Sequence, residues 1–178
     1  MIVEQINPLY VCGIVGDETS LIVIKNLTGR FTNRYDLATA PLTVDQTLSA
    51  TVSQITAIQT GLQTAIAKQL GTIRFTFPAL TADQPREAMI NTFYLLEPVG
   101  GKLLTNRPAF TAAVSDGAAR VPLDQLNWSN SSPLVMQAKR YLKTGAFPVA
   151  DQEIAVYDVP TTPQFPMTTA VDNSNQAL

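Results

Sequence analysis

The chain contains no histidine, one cysteine and little charge, and each shortage excludes a class of function. Without histidine there is no Ser-His-Asp or Cys-His nucleophile, and the usual ligands of zinc and copper are missing. Cys12 stands alone in an apolar run, which predicts a core residue and excludes a disulfide within the chain. The close acidic groups, Asp17–Glu18 and Asp151 with Glu153, match no calcium or magnesium motif. We therefore expect a non-enzymatic protein without metal or cofactor.

Charged residues make up 15% of the chain and the formal net charge is −2, so no overall field attracts nucleic acid. Arg30, Phe31, Arg34 and Tyr35 interleave basic and aromatic side chains, a pattern also found in proteins that bind single strands. On this acidic chain the pattern favours a solvated connection held by two aromatic anchors. We expect neither a nucleic acid nor a membrane as partner, and Met1–Asn7 lacks the basic residue of a secretion signal.

Threonine takes the place of the missing charge, with 21 threonines against 12 lysines and arginines. A surface of hydroxyl and amide groups suits a subunit whose faces are covered by neighbours, since a free monomer usually keeps more charge. The segment that begins at Pro160 contains two further prolines, at positions 163 and 166. We expect this segment to be extended, because proline interrupts helices and strands.

The stretch from Thr43 to Gly71 predicts one long helix, over about residues 44–70. Thr43 and Gln46 have the spacing of a capping box, and Gly71 follows as a left-handed cap. The apolar residues repeat at alternating intervals of four and three, as in a coiled coil, and two glutamines fall on the same stripe. The alternative is an amphipathic helix packed on the sheet of its own domain. The predicted self-association face comprises Leu48, Val52, Ile55, Gln59, Leu62, Ile66 and Gln69.

The remaining pattern is that of an α+β protein with antiparallel hairpins. A second helix is predicted over residues 133–144, capped by Ser132 and ended by Gly145. Gly13 indicates a bulge or a close backbone approach within the first strand. Asp116-Gly117 is the strongest short hairpin signal. The strands are predicted at 9–15 paired with 20–25, 72–77, 88–97, 102–105, 109–114 paired with 119–123, and 153–159.

One domain with an N-terminal arm is expected over residues 1–159, followed by an extended C-terminal arm over 160–178. Phe165, Met167 and Val171 are the apolar residues by which this arm would contact a neighbour. The uncharged helix and the proline-rich arm together resemble structural proteins of tailed bacteriophage particles. The resemblance implies a capsid cement or decoration protein, a homotrimer located in the virion and assembled in the host cytoplasm, with a major capsid or tail protein as partner.

Three other functions stay open. A phage tail, fibre or baseplate component is the alternative within the same resemblance. A soluble cytoplasmic binding or adaptor domain would use the long helix only to pack on its sheet. An enzyme of carboxylate type would need a cleft that holds two acids with separated pKa values.

Overall fold

The computed structural model describes residues 8–79, 81, 85–106 and 114–168. Their mixed architecture of sheets and helices confirms the α+β class. No helix in these parts of the chain is long and apolar enough to cross a lipid bilayer. In chain order the elements are β1 (Leu9–Ile14), β2 (Ser20–Asn26), β3 (Tyr35–Asp36), β4 (Ala38–Pro41), α1 (Leu48–Thr60), β5 (Leu62–Phe77), β6 (Glu87–Gly101), β7 (Ser115–Pro122), α2 (Pro133–Thr144) and β8 (Gln152–Glu153).

The strands form two sheets. The larger sheet has the order β4-β1-β6-β5-β8, and the smaller has the order β3-β2-β7. The larger sheet is mixed and not purely antiparallel, because β1 runs parallel to β6 and β8 runs parallel to β5. The pairing of β1 with β6 joins segments about 80 residues apart in sequence, with Cys12 opposite Phe93.

The two helices contribute to separate parts of the core. Alternate residues of a strand point to opposite faces, so Cys12 and Ile14 of β1 share one buried cluster with Leu134 of α2. Val11 points the other way and shares a second cluster with Val52 of α1. Helix α1 lies so close to β1 that a Cβ at Gly13 would be 2.5 Å from Thr56 Oγ1. This confirms the predicted close backbone approach at Gly13 and the predicted core position of Cys12.

The predicted long helix is shorter than expected. Helix α1 begins after Thr47, whose side chain accepts a hydrogen bond from the Ala50 amide, and Thr43 lies outside it. It ends at Gly61, which adopts a φ of 77°. A Cβ on Gly61 would lie 2.2 Å from the Lys102 carbonyl oxygen, so the chain turns here where other residues do not fit. The segment predicted as the second half of the helix is the first half of β5, whose residues pair with β6.

The predicted hairpins are also partly wrong. Strands β1 and β2 exist as expected, but they belong to different sheets and meet only near their turn, at the bridge between Gly16 and Leu21. Asp116 and Gly117 lie inside β7 and do not form a turn. The predicted partner strand at 109–114 lies mostly outside the described residues. Residues 102–105 are irregular, and the predicted last strand is reduced to Gln152–Glu153.

Helix α2 is confirmed over the predicted residues, with Ser132 as its cap. The segment beyond β8 is extended, as expected, and follows the surface of its own chain as far as Thr168. Tyr157 packs edge-on against Phe31 and Phe77, and the Phe165 ring lies 5.4 Å from that of Tyr35. The domain boundary at residue 160 stays a prediction.

Candidate functional site

A cleft of about 600 Å³ opens where the two sheets meet beside the end of α1. Strands of both sheets contribute to it, together with the connection that follows β2. Such a volume is in the range that small-molecule sites occupy. The lining residues are Pro8, Tyr10, Ile24, Asn26, Thr28, Gly29, Arg30, Phe31, Asp36, Leu37, Thr39, Gln59, Arg86, Glu87, Ala88, Met89, Val114 and Ser115.

Arg30 is held in the cleft by the residue that follows it. Phe31 is buried in the core, with its ring 5.7 Å from that of Phe77 and 5.8 Å from that of Tyr157. This anchor fixes the connection between β2 and β3 and keeps the Arg30 side chain at the edge of the core. The Arg30 guanidinium lies over the Phe77 ring, 4.8 Å from its centroid, in a cation–π contact.

The Arg30 guanidinium is nearly sealed from water but incompletely paired. Its side chain is 6% exposed, whereas that of its partner Glu87 is 50% exposed. Arg30 Nε donates to Glu87 Oε2 over 2.8 Å, and no residue in the described parts of the chain accepts a hydrogen bond from Nη1. A buried guanidinium normally satisfies its five donors, because an unpaired buried donor costs free energy. Because Nη1 is also sealed from water, an anion reaches the Arg30 donors only by displacing the half-exposed Glu87 side chain.

Asp36 is a buried carboxyl group in the wall of the cleft. It ends β3, between the buried residues Tyr35 and Leu37. Its Oδ1 accepts two hydrogen bonds, from the Leu37 amide over 2.9 Å and from Ser132 Oγ over 2.7 Å. Burial raises the pKa of Asp36 to about 7, although the two hydrogen bonds lower it. Asp36 can therefore carry or release a proton near neutral pH.

Gln59 closes one side of the cleft. It lies near the end of α1, and its Oε1 accepts a hydrogen bond from the Thr39 amide over 3.2 Å. This bond ties the helix to strand β4. Helix α1 contains no charged residue at all, so the wall that it provides is neutral.

The carboxylates of the cleft do not fit a cation site built by the protein. Asp36 and Glu87 are the acids among its described lining residues, and each has one oxygen engaged, Asp36 Oδ1 by two donors and Glu87 Oε2 by Arg30, so that only one carboxylate oxygen remains on each. Within the described parts of the chain, no group of three or more histidine, cysteine, aspartate or glutamate side chains is placed to hold a metal ion. Magnesium sites in phosphate chemistry generally draw on free carboxylate oxygens.

The residues predicted for self-association do not share one helix. Leu48, Val52, Ile55 and Gln59 lie on α1, whereas Leu62, Ile66 and Gln69 lie on β5. Val52 is fully buried within the chain, while Ile66 is 38% exposed. A continuous helical seam is therefore wrong, and self-association through these residues stays a prediction.

The predicted arm contacts are divided in the same way. Phe165 is buried against Tyr35 of its own chain, and Met167 is 43% exposed. Val171 lies outside the described residues. Contacts of this segment with a neighbouring molecule stay a prediction.

No protein-family model and no curated protein sequence matches the chain. Solved structures do match it in three dimensions. A NUDIX hydrolase from Nitrosomonas europaea has a TM-score of 0.62 at 12% sequence identity, over 87% of this chain and 83% of that chain. The chain has the fold of the Nudix hydrolases.

Two further structures of this fold have names that mention a ligand. An ADP-ribose pyrophosphatase from Streptococcus suis has a TM-score of 0.54 at 14% identity, over 84% of this chain and 100% of that chain. The NUDIX domain of Shewanella oneidensis NrtR, solved in complex with ADP ribose, has a TM-score of 0.54 at 18% identity, over 78% of this chain and 90% of that chain.

These matches overturn the functional part of the sequence analysis. The resemblance to phage structural proteins is wrong, and with it the capsid, tail and baseplate assignments, the virion location and the virion partners. The expectation of a non-enzymatic chain is contradicted as well, because structures that share the fold include a NUDIX hydrolase and an ADP-ribose pyrophosphatase, and the adaptor alternative has no support from them. The error came from the surface composition, because low charge and abundant threonine characterise a surface and do not identify a fold.

Sequence reasoning missed Arg30, Asp36 and Glu87 as a group. The connection containing Arg30 was expected to be solvated; its two aromatic anchors, Phe31 and Tyr35, are confirmed, but the Arg30 side chain is buried as well. One local signal was available for Asp36, because it is a carboxylate between two hydrophobic residues that both become buried. Glu87 gave no such signal.

Proposed function

We propose that this chain binds a nucleotide-type ligand through its diphosphate group in the cleft and hydrolyses that diphosphate. One observation carries the proposal: Arg30 lines the cleft, has a side chain that is 6% exposed, and has no hydrogen-bond partner for Nη1 among the described residues. The reaction class is supported by the fold, which this chain shares with an ADP-ribose pyrophosphatase and with a domain solved in complex with ADP ribose.

Arg30 is suited to a phosphate because of its geometry and its surroundings. A guanidinium presents parallel N–H donors that match two oxygens of one phosphate. Low exposure makes each of these bonds stronger than it is at a protein surface. Glu87, which now neutralises Arg30, is half exposed and can turn towards water when a phosphate takes its place. The same guanidinium would stabilise negative charge that develops on the phosphate during hydrolysis.

The remainder of the cleft suits the other parts of such a ligand. Arg86 supplies a second positive charge, and Glu153, its ion-pair partner, is 68% exposed. Tyr10 and Met89, both partly exposed, provide apolar surface for a base or a sugar face. Asn26 adds a polar side chain. The cleft thus offers charged, polar and apolar groups, and it is the polar ones that fix the orientation of a ligand in a small-molecule site.

Diphosphate hydrolysis commonly draws on a divalent cation that a protein holds with free carboxylates. The carboxylates of this cleft do not fit such a site, so the proposed function is assigned to the chain's own residues. The chain's own contribution is to bind the diphosphate, offset its charge and shield it from bulk water.

The test is calorimetric titration of the full chain with ADP ribose, with AMP and ribose 5-phosphate as monophosphate controls. Formation of the two monophosphates from ADP ribose is followed by phosphorus NMR, in buffer with and without Mg²⁺. Arg30→Gln removes the charge, and Arg30→Lys keeps the charge but not the paired donors. Arg74→Gln is the matched control, because Arg74 is an exposed residue of β5 that does not line the cleft.

We expect ADP ribose to bind more tightly than either monophosphate. Hydrogen bonds to charged groups contribute about 1.5–3 kcal/mol, so Arg30→Gln should weaken binding at least about tenfold while Arg74→Gln leaves it unchanged. Binding without monophosphate products in either buffer would overturn the hydrolytic part of the proposal. No binding, or an equal loss in the Arg30→Gln and Arg74→Gln variants, would overturn all of it.

A further inference from the structure

Asp36 occupies an unusual position for an acid in a cleft that would receive an anion. The residue is 9% exposed and lines the cleft. Its backbone is fixed by the pairing of β3 with β2, in which Asp36 lies opposite Ile24. The cap of α2 fixes its side chain, because Ser132 Oγ donates to Asp36 and also accepts from the Val135 amide. The carboxyl group therefore cannot easily turn away from an incoming ligand.

The hydrogen bonds of Asp36 leave one oxygen available. Both donors, the Leu37 amide and Ser132 Oγ, bond to Oδ1. No described residue donates to Oδ2, and Oδ2 is not among the buried polar atoms that are sealed without a partner. Oδ2 is thus the oxygen through which Asp36 can meet a ligand.

The charged surroundings do not neutralise an Asp36 carboxylate. No described cation forms an ion pair with it, since Arg30 pairs with Glu87, Arg34 with Asp158 and Lys25 with Asp116. The titratable groups that interact with it electrostatically are Cys12 of β1 and Tyr157 of the C-terminal segment, and both would add negative charge if ionised. Across the cleft the charged lining residues are Arg30, Arg86 and Glu87.

We propose that Asp36 binds the ligand in its protonated form, with Oδ2–H donating a hydrogen bond to a diphosphate oxygen, so that binding at alkaline pH takes up one proton. This inference rests on the proposed function of the cleft. A carboxylate and a phosphate are both acceptors and repel each other, but one shared proton turns the repulsion into a hydrogen bond. Asp36 would then favour ligands that offer an acceptor at this point.

The sign of the pH dependence follows from this arrangement. Burial already brings the pKa of Asp36 to about 7, and a bound anion raises the pKa further by repelling the charged form. Below the pKa of the free protein the proton is already present, so binding takes up none there. Above that pKa the affinity falls by about tenfold for each pH unit, until the pKa of the complex is reached.

The experiment is calorimetric titration of the full chain with ADP ribose between about pH 6 and about pH 8.5, at each pH in two buffers that differ in ionisation enthalpy. The difference between buffers counts the protons taken up. Asp36→Asn imitates the protonated acid, because its amide nitrogen donates where Oδ2–H would. Glu18→Gln is the control, since Glu18 is an exposed carboxylate outside the cleft. Ser132→Ala is a second variant, which removes a donor that lowers the pKa of Asp36.

We expect the unmodified chain and Glu18→Gln to take up nearly one proton at the alkaline end and to lose affinity there. Asp36→Asn should bind with an affinity that does not depend on pH and should take up no proton. Ser132→Ala should shift the fall in affinity to higher pH. Binding without proton uptake, or an unchanged pH profile in Asp36→Asn, would overturn this inference alone. Absence of binding at every pH would overturn the proposed function, and the inference with it.

Discussion

Two ion pairs of this chain, Lys25–Asp116 and Arg30–Glu87, show how a structural pair differs from one in a binding cleft. Lys25 Nζ lies 2.9 Å from Asp116 Oδ2 and donates to Thr168 Oγ1 over 2.7 Å, and the two side chains are 8% and 2% exposed. The Arg30–Glu87 pair also buries its cation, but its anion is half exposed.

The difference between the pairs lies in how far their hydrogen-bonding capacity is used. Asp116 Oδ2 also accepts from the Thr168 amide over 2.7 Å, so the chain itself satisfies the buried pair with further hydrogen bonds. Burial alone would raise the pKa of Asp116, but the hydrogen bonds from Lys25 and Thr168 outweigh burial and lower it. Arg30 Nη1, in contrast, finds no hydrogen-bond acceptor within the part of the chain that the structure describes. An ion pair whose hydrogen-bonding groups are all used stabilises the fold. An ion pair with an unused donor beside a cleft indicates a place for a ligand.

The largest expected effect is that of Lys25→Met. The substitution leaves Asp116 buried with an uncompensated charge, so the free energy of unfolding at neutral pH should fall by about 3–5 kcal/mol. Urea denaturation followed by circular dichroism measures it. The double variant Lys25→Met/Asp116→Leu should recover most of the loss, because both charges are gone. An equal loss in the single and double variants would show that packing, not charge, stabilises this pair.

The pH dependence of the same pair has a definite sign. The pKa of Asp116 is lower in the folded chain than in the unfolded chain, so its stabilising effect is present above the ordinary range of an aspartate and disappears on acidification. The stability of the unmodified chain relative to the double variant should therefore fall as the pH drops below about 4. A constant difference across acid pH would contradict the assignment.

Ser132→Ala should have an intermediate effect on the cleft side of the molecule. Loss of the cap should lower the free energy of unfolding by about 1 kcal/mol, and loss of the hydrogen bond should raise the pKa of Asp36. Thr47→Ala is the matched control, because Thr47 caps α1 in the same way and does not contact Asp36. Carbon NMR of the Asp36 carboxyl group should show the upward pKa shift in Ser132→Ala alone.

The smallest expected effect is that of Arg86→Ala on stability. Arg86 and Glu153 form an ion pair whose side chains are 54% and 68% exposed, and such pairs contribute about 0–1 kcal/mol. Urea denaturation should place this variant close to the unmodified chain. If Arg86→Ala lowered the free energy of unfolding as much as Lys25→Met, burial would not explain the difference between the two ion pairs.

Some elements could be predicted from the sequence because their signals are local. Helix α2 has a serine cap, a proline at its first position and a glycine at its end, and the structure has it over the predicted residues. The alternation of Ile73, Phe75 and Phe77 likewise predicted a strand, and all three side chains are buried in β5. Local hydrogen bonds and side-chain alternation depend little on distant partners.

The long helix failed because its second half depends on a partner far along the chain. Leu62 and Ile66 continue the apolar spacing of α1, so a helical period runs across Gly61. In the folded chain this segment gains a ladder of hydrogen bonds with β6, in which Leu62 lies opposite Gly101. Threonine and other β-branched residues are compatible with both a helix and a strand, so the pairing with β6 selects the strand.

Composition and neighbouring residues are enough to predict the α+β class, the second helix, the buried cysteine and the absence of histidine chemistry. The pairing of β1 with β6, the end of α1 at Gly61 and the common cleft of Arg30, Asp36 and Glu87 depend on contacts between distant segments. The cleft brings together residues that are up to about 57 positions apart, as in the hydrogen bond from Arg30 to Glu87. Before folding, water forms hydrogen bonds with these polar groups. They become incompletely paired, and able to bind a ligand, only when folding brings them together and removes that water.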